Sequence, residues 1–590
     1  MSDSFATSIA IGRWYDQRGE DVHRRAARHH NDSRVTADEL AAKLLHAVLD
    51  AHPLNGSLLG LSEYDDRLPD YRPKAQEREV AALRAVAHDA GRLDVVGLDE
   101  VDHQTLDLVL SSANARADAA AVPFVEFTVS DFHAAPVSEI LLTLPKVSLD
   151  TDARADAYLT RLNGLPGLLE AVAARHLDGV SAGRVPVRRL VEALIAQLDT
   201  VIDDADAGGL RRVRGDDPAF SERLDRVLED VVVPAFARYR EVLASRLVAA
   251  GRDDARSGLC YLPDGVVMYD ALVRLHTSST RTPDELHHVG LELMEGINQE
   301  YRDVGERLWG TSEVEEVMDR LRHDPGLRYD DADQIVSDAR TAVARAEAAA
   351  PDWFGQLPDE ACLVEPVPRV EEVGSAPAYY LPGALDGSRQ GTYFVNTFRA
   401  TERSRADAET IAFHEAVPGH HFQITIAQGQ PRLSLPRRVL RDTACAEGWG
   451  LYAERLADEM GLYTSDVTRL GMLTADAWRA GRLVVDTGLH HFGWGRQRAV
   501  DWFSTHTPLA RVVIEAEVNR YITSPGQALA YMVGRMELER LRRVAQDGLG
   551  DRFDLRAFHD AVLEAGPVPL PAMAALVERW VGSVAAGTTS

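Results

Sequence analysis

Apolar positions recur at three- and four-residue intervals over long stretches of this chain, with charged residues between them. Ala37 to Leu49, Glu77 to Ala90, Ala153 to His176 and Pro283 to Val304 all follow this pattern. Such spacing lays one apolar stripe along a helix and predicts four amphipathic helices. Two of them carry start signals: Thr36 precedes Ala37-Asp38-Glu39, and Thr282 precedes Pro283-Asp284-Glu285. A threonine cap, an early proline and early acids suit the free N–H groups and positive end of a helix. Between Ala361 and Thr397 the pattern changes, with prolines at 366, 368, 377 and 382. Gly391-Thr-Tyr-Phe-Val-Asn-Thr397, rich in β-branched and aromatic residues, predicts a strand after a turn at Asp386-Gly387-Ser388. A second irregular patch, Gly258 to Gly265, precedes a helix expected to start near Val267. The tail from Ala585 is expected to fray.

The fold class implied is mostly α with a small β-sheet. At 590 residues the chain exceeds one ordinary core. We expect an N-terminal helical lobe over residues 1–255 and a second half over residues 256–590, the lobes interwoven because no Gly/Ser linker separates them. Hydrophobic residues are 45% and charged residues 26%, a globular balance. No stretch approaches the roughly 20 apolar residues that span a bilayer. The N-terminus lacks a basic start followed by an apolar run, so the expected location is cytoplasmic. A net charge of -28 repels nucleic-acid backbones and anionic membranes, arguing against both as partners. Three cysteines, Cys260, Cys362 and Cys445, form no disulfide framework and read as reduced thiols.

The segment richest in chemistry is Ile411-Ala-Phe-His414-Glu415-Ala-Val-Pro-Gly419-His420-His421-Phe-Gln423. A zinc hydrolase needs imidazole nitrogens about 2.0–2.1 Å from the ion and a carboxylate beside the attacking water. The common helical solution, His-Glu-x-x-His, puts two histidines one turn apart on one face. Here His420 and His421 follow His414 by six and seven residues. On an unbroken helix that is about 9–10 Å along the axis, too far to share one ion. Pro418-Gly419 resolves this, because proline removes a helix hydrogen bond and glycine accepts unusual dihedrals. A break there returns His420 or His421 to the ion, and His420 is the preferred ligand of the two. Glu447 is the expected third ligand, on a helix starting near Pro436, with Gly448 and Gly450 permitting close helix approach. Glu454, two turns on, is either a group supporting a ligand or a substitute for Glu447.

The expected cofactor is therefore one zinc ion per chain, held by His414, His420 and Glu447. Glu415 is the expected general base. His490 and Tyr531 are candidate donors to the developing oxyanion. The strand containing Asn396 is a candidate for main-chain pairing with a peptide. Arg520, Gln527 and Arg535 are candidates to hold a terminal carboxylate.

These residues carry a resemblance. His414-Glu-Ala-Val-Pro-Gly-His-His421, Glu447-Gly-Trp-Gly-Leu-Tyr-Ala-Glu454, Asp486-Thr-Gly-Leu-His490 and Pro525-Gly-Gln527 with Tyr531 and Gly534 resemble a bacterial family catalogued as domain of unknown function 885. Pro53 to Asp65 and Leu262-Pro-Asp-Gly265 extend the likeness through most of the chain. The family is similar to helical gluzincin peptidases of the angiotensin-converting-enzyme, oligopeptidase and thermostable-carboxypeptidase types. The resemblance implies a two-lobed zincin-like fold with a deep cleft, one catalytic zinc, and peptidase activity at C-termini. In those peptidases the third ligand is a glutamate on a second helix, as Glu447 would be. The uninterrupted His-Glu-x-x-His of the gluzincins is absent here. The function expected is a zinc carboxypeptidase or dipeptidyl carboxypeptidase acting on short peptides. The alternatives are a zinc amidohydrolase of a non-peptide amide and a non-catalytic helical binding protein.

Overall fold

The computed structural model describes residues 35–204, 209–212, 214, 217–369, 372, 376–383 and 389–587. The N-terminal segment, the expected turn at 386–388 and the last three residues lie outside the described residues. The fold is mostly helical with one small sheet. Twelve helices matter below: α1 (Ala37–Ala51), α2 (Pro73–Ala90), α3 (Glu100–Ala120), α4 (Asp152–Ser181), α5 (Gly265–Thr277), α6 (Pro283–Trp309), α7 (Ala408–Glu415), α8 (His420–Gly429), α9 (Thr443–Glu459), α10 (Asp466–His490), α11 (Arg511–Thr523) and α12 (Ala530–Leu549). The four helices read from periodicity are α1, α2, α4 and α6. Thr36 and Thr282 each close a capping box with the glutamate three residues on, Glu39 and Glu285.

Apolar residues from both sides of residue 255 share one core. Leu40, Leu44 and Val109 pack in the same cluster as Tyr301, Trp449, Leu483 and Leu538. A second cluster gathers Leu54 and residues between Val129 and Leu247, including Leu162, Val191 and Phe236. A third joins Val187 and Leu190 to α10 and α11. The N-terminal helices α1 to α3 therefore lie against the half that carries the chemistry.

The sheet has three strands, β1 (Leu363–Pro366), β2 (Ala378–Leu381) and β3 (Thr392–Val395), in the order β1-β3-β2. β3 pairs parallel with β1 and antiparallel with β2, with Tyr393 opposite both Val364 and Tyr380. The expected strand at 391–397 is thus present but central. Both its edges are occupied, so it offers no free edge for a peptide.

The helix bearing Glu447 begins later than expected. Leu435–Val439 is a separate short helix, and α9 starts at Thr443. Asp442 caps it by accepting a hydrogen bond from the Cys445 N–H at 2.9 Å, and a good cap resets the helix start. α9 packs along α12, where a Cβ on Gly448 would collide with the backbone at Gly534.

Candidate metal centre

The helix breaks between the histidines, as Pro418-Gly419 implies. α7 ends at Glu415 and α8 begins at His420. The Val417–Pro418 peptide is cis, and the Trp449 indole N–H donates to the Pro418 carbonyl at 2.9 Å. A buried tryptophan on α9 thus ties down the loop that carries His420.

Three side chains converge from these elements. His414 Nε2 lies 3.7 Å from Glu447 Oε2, and His420 Nε2 lies 3.5 Å from the same carboxylate. The two rings stand edge to face with centroids 4.6 Å apart. Ligand atoms of His414, His420 and Glu447 all fall within 4.8 Å of one another, the one such set of His, Cys, Asp and Glu side chains among the described residues. Two ligands about 2.0–2.1 Å from a tetrahedral zinc are separated by about 3.3 Å. The observed 3.5 and 3.7 Å are long for charge-assisted hydrogen bonds and close to that ligand spacing. The donor set, two imidazoles and a carboxylate, is that of a catalytic zinc with an open position. The residues present fit the ion.

Two features preset His414. Its Nδ1 lies 2.7 Å from Glu454 Oε1, leaving Nε2 to face Glu447. This carboxylate–histidine pairing orients metal-binding imidazoles and raises their basicity. The ring also lies against Gly450, where a Cβ would sit 2.5 Å from His414 Cε1. Charge in the site is negative. Burial alone would depress the His414 pKa, but Glu447, Glu454 and Glu415 outweigh it and raise it to about 10. Burial would raise the Glu447 pKa, yet His414 and His420 hold it well below the usual carboxylate range. Such a concentration of carboxylates around imidazoles favours a divalent cation.

Of the open choices, His420 rather than His421 faces Glu447. The His421 ring is buried and spent elsewhere: Nε2 lies 3.0 Å from the Glu360 carbonyl and Nδ1 3.0 Å from the Tyr380 hydroxyl. Glu454 supports His414 and does not take the place of Glu447. Glu415, next to His414, accepts a hydrogen bond from the Tyr380 N–H of β2 at 3.0 Å. The outer edge of β2, not β3, therefore borders the site.

Several other candidates are committed to the scaffold. His490 is fully buried; Nδ1 accepts from the Leu259 N–H at 3.1 Å and Nε2 meets the Tyr521 carbonyl at 3.0 Å. With both nitrogens bound to backbone and burial holding its pKa down at about 3, it is no oxyanion donor. Asn396 is buried and pins a loop, donating to the Glu372 and Ala376 carbonyls and accepting from the Phe398 N–H. Arg535 pairs with buried Asp476, which Arg455 also contacts. Arg520 pairs with Glu517 at 3.2 Å and donates to Gln527 Oε1 at 2.5 Å. None of Asn396, Gln527, Arg520 and Arg535 is positioned to receive a substrate carboxylate without giving up these partners. Tyr531 remains half-buried, its hydroxyl 3.3 Å from Arg520 and its ring under Arg482 at 4.3 Å. The cysteines are unpaired, with Cys362 and Cys445 buried.

The sequence reading missed Tyr380 as the partner of both Glu415 and His421. Tyr380 lies in the stretch Tyr380-Leu-Pro-Gly383, where nothing local assigns it a role.

A family profile described as bacterial protein of unknown function, DUF885, matches residues 53–577. The chain belongs to this family. A DUF885 assignment carries no activity with it. No curated protein matches the chain. A crystal structure of a "putative lipoprotein" from Colwellia psychrerythraea is similar with a TM-score of 0.84 and 26% identity, covering 93% of this chain and 100% of that one. A second "putative lipoprotein of unknown function", from Shewanella oneidensis, matches with a TM-score of 0.75 and 17% identity over 92% of this chain and 100% of that one; at that identity the likeness shows the fold alone. The description of the Colwellia psychrerythraea protein overturns the cytoplasmic expectation, because lipoproteins are held at a membrane outside the cytoplasm. The expectation rested on the lack of a spanning apolar run and of a basic start followed by an apolar run at the N-terminus, and a covalent lipid anchor needs no spanning helix. Among the described residues, no helix is long and apolar enough to cross a membrane.

Proposed function

We propose that this chain is a single-zinc metallohydrolase that cleaves short peptides near their C-terminus. The observation that carries this reading is the triangle of His414 Nε2, His420 Nε2 and Glu447 Oε2 with 3.5 and 3.7 Å sides, backed by Glu454 and adjoined by Glu415. Zinc bound there would supply a Lewis acid for the scissile carbonyl and the attacking water. Glu415 takes one proton from that water as its oxygen bonds to the carbonyl carbon. The same carboxyl then delivers the proton to the leaving amine as the C–N bond breaks. The Tyr380 N–H fixes one oxygen of Glu415 at 3.0 Å and so fixes the direction of the other. Tyr531, with Arg520 beside its hydroxyl, is the proposed donor to the carbonyl oxygen. The outer edge of β2 runs beside Glu415 and suits an extended peptide main chain. The resemblance to gluzincin peptidases read from the sequence motifs is in keeping with the same chemistry. By analogy with the lipoprotein relatives, the work is done outside the cytoplasm.

Mass spectrometry of a mixed peptide pool tests the reading. Zinc-loaded protein should shorten peptides from the C-terminus, and a chelator should stop it. An intact pool after prolonged incubation with zinc-loaded protein contradicts the proposal.

A further inference from the structure

At the N-terminal end of α9, the helix that carries Glu447, lies a cavity of about 140 Å³ lined by Arg116, His276, Ser278, Arg441, Asp442 and Thr443, among others. Arg116 comes from α3 and His276 from α5, so three elements distant in sequence build it. Neither guanidinium forms an ion pair with a carboxylate within 4.0 Å among the described residues. Their one mutual link is Arg116 Nη2 to the Arg441 carbonyl, at 3.5 Å. Elsewhere around the site arginines are spent: Arg455 and Arg535 on Asp476, Arg482 and Arg520 on Glu517.

The negative groups nearby are accounted for. Asp442 accepts from Ser278 Oγ at 2.7 Å and from the Cys445 N–H at 2.9 Å. Asp442 and Glu79 both lie within electrostatic range of Arg116. His276 is kept neutral by burial and by Arg116. Arg441 is solvent-exposed, yet the protein around it lowers its basicity while Tyr380 and Glu447 oppose that lowering. Arg441 thus lines the cavity while lying within electrostatic range of Glu447 and Tyr380.

We propose that Arg441 and Arg116 bind a free carboxylate of the peptide substrate on the leaving-group side of the cleaved bond. The proposal rests on the peptidase reading above and adds the subsite that sets end preference. A guanidinium fork matches a carboxylate, both arginines line the one cavity, and the N-terminal end of α9 adds a positive potential. Asp442 precedes Glu447 by five residues, about 7.5 Å along the helix axis. That is the reach of about two extended residues, which fits release of a dipeptide or a single residue. Arg441 and Arg116 take over the role expected of Arg520, Gln527 and Arg535.

The test uses zinc-loaded Glu415→Gln full-length protein, which binds without turnover. Two tripeptide pools with randomised side chains, one of free acids and one of carboxamides, are incubated with it and the retained members are counted by mass spectrometry. The free acids should be retained at least about tenfold better, the worth of one charge-assisted hydrogen-bond pair. Arg441→Gln and Arg116→Gln, each introduced into that protein, should bring the ratio to near one. Retention of amides only when they carry Asp or Glu would assign the subsite to a side-chain carboxylate instead of the terminal one. Equal retention of both pools without acidic bias, no retention of either, or a preference surviving both substitutions overturns the proposal. Failure of the peptidase reading looks different: wild-type protein leaves the free-acid pool uncut while the carboxylate preference persists.

Discussion

Glu454 Oε1 grips His414 Nδ1 at 2.7 Å, and this contact turns the opposite nitrogen of the same ring toward Glu447. Glu454 is fully buried, so the contact is unscreened by water. Replacing it with glutamine keeps the shape but removes the charge that makes His414 a strong ligand. Glu454→Gln should weaken zinc binding about 10–100-fold, read by competition with a chromophoric chelator. Unchanged affinity would remove Glu454 from the metal site.

Gly450 makes room for the His414 ring. In a helix interior Gly→Ala ordinarily stabilises by about 0.5–1 kcal/mol. Here the added Cβ would sit 2.5 Å from His414 Cε1 and 2.8 Å from Nε2. Gly450→Ala should therefore displace the imidazole and lower zinc content. A variant with full zinc and raised thermal stability would refute the packing argument.

Glu415→Gln should retain zinc and fold normally while losing about 10²–10⁴-fold in turnover, the usual worth of a general base. Glu415 is not one of the three converging ligands, so metal content and activity should separate. Near-normal rates would move the base to another group.

Arg535 is expected to act on stability alone. It pairs with Asp476, a fully buried carboxylate also held by Arg455. Arg535→Ala should destabilise the fold by about 3 kcal/mol, because a buried charge loses a partner. Chemical denaturation measures this. The preference for free-acid over amidated peptides should not change, and a loss of preference would restore Arg535 to substrate binding.

Buried histidines predict the acid limb of stability. Burial pushes the pKa of His490 down to about 3 and those of His176, His276 and His559 down to about 4. Their unfolded value is about 6.5. Between about pH 6.5 and 4 the unfolded chain takes up these protons and the folded one does not, so stability falls as pH falls. His490→Gln should flatten the decline by on the order of 3 kcal/mol between pH 7 and 4, seen as a smaller drop in melting temperature. An unchanged slope would contradict the assignment of His490 as a buried neutral group.

What the sequence disclosed and what it hid divide along the range of the interactions. Thr36 and Thr282 cap helices through residues three positions away, so their role was visible locally. Pro418-Gly419 announced a break within eight residues of His414, and Glu447 stood out by its glycine neighbours. Asp442 was an available cap for α9, although the helix was expected to start near Pro436. The misplaced roles were all decided at long range. His490 is satisfied by Leu259 and Tyr521, Arg535 by Asp476, and Asn396 by Glu372 and Ala376. Whether a polar side chain is free for substrate is a tertiary fact, and spacing does not carry it. Arg116 and Arg441 are the converse case, 325 residues apart and brought together only by the packing of α3 near the start of α9.

The most direct measurement is anomalous diffraction at the zinc edge from crystals of the protein purified without added chelator. We expect one peak per chain at about 2.0–2.2 Å from His414 Nε2, His420 Nε2 and Glu447 Oε2. A zinc-soaked crystal with no peak among these three atoms, or with the ion held elsewhere, would contradict the account.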